Sequence, residues 1–76
     1  MCLAELIPGE SGRVAALPDS SVGKRLKSMG IDIGSDILCL MFSPLGDPVI
    51  YRSEGMTVAL RKSTAKNILL EKDVIS

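Results

Sequence analysis

Apolar and polar positions alternate along Gly12-Arg13-Val14-Ala15-Ala16-Leu17, with Val14 and Ala16 on one side, a period of two that predicts a short half-buried strand. Pro18 ends it. Val22, Leu26 and Met29 then recur at i, i+4 and i+7, the apolar stripe of a short helix, with N-cap side chains available at Asp19-Ser20-Ser21 and a C-terminal cap at Gly30. Lys24, Arg25 and Lys27 fall mostly off that stripe and make the helix exterior basic.

Asp36 opens a run of six consecutive apolar residues, Ile37 to Phe42, too unbroken to leave a polar face. As a regular strand it places Ile37, Cys39 and Met41 on one side and Leu38, Leu40 and Phe42 on the other. One short helix covers one side at best. Covering both calls for a strongly bent barrel strand or a buried partner interface. The loop that follows, Ser43-Pro44-Leu45-Gly46-Asp47-Pro48, must reverse the chain, because both prolines lack the amide hydrogen a ladder requires and Gly46 relaxes the steric limits between them. Leu45 sits at its tip, either folded back onto the barrel rim or projecting as a contact point.

Val49-Ile50-Tyr51-Arg52 and Met56-Thr57-Val58-Ala59-Leu60 flank Glu54-Gly55, a two-residue hairpin signal. That register sets Tyr51 opposite Val58 and Val49 opposite Leu60, with Arg52 and Thr57 pointing outward together. Leu26, Met29, Val58 and Leu60 are therefore expected in the core. Ser63 to Asn67 reads as a helical turn capped by Ser63, Ile68 to Glu71 as a closing strand, and residues 72–76 as a frayed end. The expected architecture is mainly β, a small closed barrel of about five strands, with one short helix after the first strand and a helical turn before the last.

A length of 76 residues gives one domain over 1–76, and 46% hydrophobic content is ample for one core. Lys+Arg and Asp+Glu both number 9, so the broad positive field of a general nucleic-acid binder is missing. Near-neutrality also favours self-association, so a homo-oligomer is open. Cys2 and Cys39 form no paired spacing for a metal or redox motif, and a reduced cytosolic setting fits them. The opening residues lack a basic stretch before a long apolar segment, so no secretory signal is expected. No uncharged apolar run approaches the roughly 18 residues that a membrane helix needs, so contact with a membrane is expected only through a partner.

Histidine is absent, which removes the commonest general base and the commonest transition-metal ligand together. No enzymatic chemistry, cofactor or bound metal is expected. Ser20, Ser21 and Ser63 have no local base and suit caps, and Gly23-Lys24 is only half of a phosphate-binding loop. Cys39 and Met41, on one strand face, read as core filling rather than soft ligands. Asp47 reads as a backbone cap, since one carboxylate binds a hard cation weakly. Lys24, Arg25 and Lys27, and the second group of Arg61, Lys62 and Lys66, are either solvated charge or a docking surface for an acidic partner or nucleic acid. For single-stranded nucleic acid the chain offers only Tyr51 and Phe42 as stacking residues.

The chain resembles the FeoA family of small ferrous-iron-transport accessory proteins over residues 6–70. Four ordered blocks carry the resemblance: Leu6, Gly9, Glu10, Gly12 and Val14; Arg25, Leu26, Met29, Gly30 and Gly34; Gly46, Asp47 and Pro48; and Ala59, Leu60, Arg61, Ala65 and Ile68. Ile33 and Thr64 depart from the family pattern, where proline and an acidic residue are frequent. The resemblance implies an SH3-like barrel, a fold shared with the C-terminal domain of iron-dependent repressors, so fold alone does not assign function. It also implies a cytoplasmic regulator of ferrous iron uptake that reaches the inner membrane by binding FeoB, a permease with a cytosolic GTPase domain. The partner-binding residues expected are Leu38, Leu40 and Phe42 on the strand and Pro44, Leu45, Gly46, Asp47 and Pro48 in the loop. Two rival readings are a stand-alone SH3-like module that binds protein or peptide, related to those repressor domains, and a nucleic-acid-binding barrel with strongly salt-dependent affinity.

Overall fold

Glu54 and Gly55 both adopt positive φ, 52° and 79°, the twisted two-residue turn that matches the natural twist of paired strands. Around that turn, β3 (Val49–Ser53) pairs antiparallel with β4 (Met56–Leu60) in the expected register, Tyr51 opposite Val58 and Val49 opposite Leu60. The computed structural model describes residues 1–71, and the end expected to fray, residues 72–76, lies outside them.

The remaining strands, β1 (Ser11–Ala16), β2 (Asp36–Phe42) and β5 (Leu69–Leu70), complete one antiparallel sheet in the order β4-β3-β2-β1-β5. Helix α1 (Ser21–Ser28) links β1 to β2, and α2 (Lys62–Ala65) links β4 to β5. Ser20 caps α1 as expected, its hydroxyl accepting from the Val22 amide at 3.2 Å, and Gly30 leaves the helix at φ 88°.

The core gathers one side of each element. Val14, Leu26, Ile31, Ile37, Cys39, Val49, Tyr51 and Ile68 are buried within it, together with Val58 and Leu60. Met29 packs against it while half-buried. The buried Ser53 donates its hydroxyl to the Gly30 carbonyl at 2.8 Å, tying β3 to the end of α1. A 3-10 turn over Leu3–Glu5 adds the fully buried Leu3, whose amide donates to Ile68 at 2.8 Å. Periodicity does not reveal a turn this short.

Two local expectations are corrected. A bulge between Cys39 and Met41 shifts the β2–β3 register, so Met41 faces Ile50 and Phe42 faces Val49. Residues directly opposite in a ladder share a face, so Phe42 shares the face of the buried Val49 while staying 43% exposed at the strand end, and Met41, 52% exposed, shares the outer face of Ile50. Leu38, Leu40 and Phe42 therefore do not form one row. Nor is the strand covered on both sides: Leu38 and Leu40 remain half-buried on the outside. The second correction concerns α2. Ser63 lies inside the helix rather than capping it, the N-cap position is Arg61, and no side chain there makes a cap hydrogen bond.

Candidate functional site

The Ser43 to Pro48 loop is built from turn chemistry and anchored at a distance. The Gly46 amide donates to the Ser43 carbonyl at 2.7 Å, and the Ser43 amide donates to the Pro48 carbonyl at 3.2 Å, closing both the tip and the base. Gly46 takes φ 86°, a conformation open to glycine at little cost. The Asp47 carboxylate accepts from the Lys62 amide at 2.9 Å and so supplies the cap that α2 lacks locally. Lys62 then extends its ammonium over the Phe42 ring, 5.9 Å from the centroid. Loop, strand end and helix start are thus held together.

Leu45 is 95% exposed on this frame, so it projects and does not fold back onto the rim. Pro44 and Asp47 are exposed beside it, and Gly46 and Pro48 are half-buried at its base. Among the eight expected residues, Phe42 and the loop lie together where β2 passes into β3, whereas Leu38 and Leu40 lie on the outer sheet face with Met41 and the half-buried Ile50. Met41 was missed because a bulge inside a wholly apolar run leaves no polar residue out of phase to betray it.

The two basic groups are exposed on α1 and around α2. Among the described residues the single ion pair is Arg13 with Asp36, at 3.3 Å on the surface, so no described carboxylate pairs with the basic side chains of α1 or α2. Between these two elements lies a groove of about 250 Å³, lined by Leu26, Met29 and Leu60 with Arg25 and Arg61.

Other chemistry finds little support here. Among the described residues no three His, Cys, Asp or Glu side chains gather as a metal site would require. The bulge separates Cys39, fully buried, from the outward Met41, so they do not act as a ligand pair. Burial pushes the Cys39 thiol above its usual range, with the Glu10 charge adding to the effect, which keeps it protonated and unreactive. Tyr51 is fully buried and offers no stacking face to nucleic acid, which leaves Phe42 as the one exposed ring among the described residues, too few for a stacking platform. No helix among the described residues is long and apolar enough to cross a membrane.

The family model for the FeoA domain matches residues 1–72. Among solved structures, a FeoA-like protein from Clostridium acetobutylicum is 36% identical with a TM-score of 0.83, over 93% of this chain and 84% of that one. FeoA of Stenotrophomonas maltophilia, solved with zinc and described as a prokaryotic SH3 domain protein and candidate ferrous-iron-transport activating factor, is 25% identical with a TM-score of 0.80, over 93% of this chain and 89% of that one. A manganese-dependent transcriptional repressor shares the fold at 22% identity, with a TM-score of 0.80 over 92% of this chain and 40% of that one. No curated protein matches the chain.

Proposed function

Because this chain belongs to the FeoA family, which is linked to ferrous iron transport, we propose that it is an accessory protein of ferrous iron uptake that docks on the cytosolic region of a FeoB-type permease through its Ser43 to Pro48 loop. The supporting observation is Leu45, 95% exposed at the tip of a loop that is hydrogen-bonded at its tip, its base and to α2. An apolar side chain on a frame already ordered loses little entropy when it docks, which favours it as an anchor. Phe42, 43% exposed, continues the apolar surface at the loop's root. The protein carries no reactive centre in this reading. It acts by binding one conformation of the permease better than another, and the shift in that equilibrium is limited to the difference in affinity.

The test is Leu45→Glu, with circular dichroism for the fold and titration against the purified cytosolic region of the permease for binding. A native spectrum with at least tenfold weaker binding is the expected result. Full binding by the folded variant would remove the loop from the interface. Loss of the native spectrum would show that Leu45 supports the fold.

A further inference from the structure

We infer that the groove between α1, β4 and α2 is a second docking site, one that takes an acidic peptide segment bearing an apolar side chain. Two sequence blocks more than thirty residues apart meet there: Arg25, Leu26 and Met29 from α1 and its end, and Leu60 and Arg61 from the end of β4. The leucines are explained by folding, since Leu26 is 2% and Leu60 5% exposed. The arginines are not. Both are exposed, and neither has a carboxylate partner among the described residues. No acidic residue lines the groove, so its apolar residues share it with two arginines that no carboxylate among the described residues balances.

Size and shape narrow the occupant. About 250 Å³ is below the range of pockets that enclose whole cofactors or drug-sized ligands, and suits one apolar side chain with flanking backbone. Guanidinium groups present forked donors that match carboxylates, so Asp or Glu beside that apolar residue completes the fit. Nucleic acid fits less well, since the groove contains no aromatic side chain and the chain's formal net charge is zero. This inference rests on the groove's own chemistry and stands whether or not the Leu45 loop contacts the permease.

The probe is a synthetic, end-capped peptide, Glu-Asp-Leu-Glu-Glu, titrated into the isotope-labelled full chain and followed by amide and arginine side-chain NMR shifts. Saturable shifts centred on Leu26, Leu60 and Arg61 are expected, with none from the neutral analogue Gln-Asn-Leu-Gln-Gln. The double variant Arg25→Gln with Arg61→Gln should bind about tenfold more weakly, the sum of two exposed charge pairs, while Arg25→Lys with Arg61→Lys, which keeps the charge and loses the fork, should fall between the two. Unchanged shifts of buried Ile37 and Tyr51 report that each variant is folded. Equal binding of the neutral peptide, undiminished binding by the Gln variant, or no saturable shift at millimolar peptide would overturn the inference. So would a single-stranded oligonucleotide that shifts these amides when the acidic peptide does not.

Discussion

The Asp47 carboxylate and the Lys62 amide, 15 residues apart in the chain, are joined by a 2.9 Å hydrogen bond that fastens the loop to the first turn of α2. One contact serves two needs: it satisfies an orphan amide of a helix only four residues long, and it holds the loop carrying Leu45 against the barrel.

Asp47→Ala is expected to cost about 0.5–2 kcal/mol, the usual range for a lost N-cap acceptor, read as a lower urea midpoint at unchanged slope. Asp47→Asn keeps an acceptor oxygen and should recover most of the loss. Amide exchange at Lys62 should quicken in the alanine variant alone, and equal protection in both would show that the hydrogen bond does not hold the helix start.

Gly23→Ala separates helix propensity from packing. Alanine in a helix interior is ordinarily favoured over glycine by about 1 kcal/mol. Gly23, however, is buried, and a methyl group on it would run into the Pro18 carbonyl oxygen at the end of the preceding segment. Backbone must move to admit it, so the variant should be less stable by about 1–3 kcal/mol in thermal or urea unfolding. A gain in stability would show that α1 can pivot away from Pro18 freely.

Tyr51 gives the fold a signature at high pH. Burial, with smaller additions from Cys39, Cys2 and Asp47, pushes its hydroxyl from the usual 10.0 up to about 12. The folded chain therefore holds this proton more tightly than the unfolded chain does. Its contribution is complete below 10.0 and is lost as pH rises toward about 12. Urea midpoints measured across that window should fall faster for the native sequence than for Tyr51→Phe. At neutral pH the Phe variant should cost no more than about 1 kcal/mol, because the Tyr51 hydroxyl reaches the Leu3 carbonyl only at 3.5 Å. Parallel pH profiles for the two proteins would show that Tyr51 ionises alike in both states.

Local pattern by itself determined much of this protein. Glu54-Gly55 set the β3–β4 register residue by residue, and Val22, Leu26 and Met29 with Ser20 marked α1, because turn geometry, caps and apolar period act over a few residues. The four ordered motif blocks carried the family. Tertiary structure alone decided three matters. Within Ile37 to Phe42 every residue is apolar, so a bulge that shifts Phe42 to the face of Val49 and Met41 to the face of Ile50 leaves no trace in the pattern, and only pairing against β3 places it. Asp47 in place of Ser63 satisfies α2, because an acceptor 15 residues away competes with local ones once the chain has closed. Along the chain Arg25 and Arg61 belong to two separate basic groups, each open to solvation or docking. They flank one groove because α1 packs beside β4, and the distance between two residues in space follows from packing, which sequence separation does not encode.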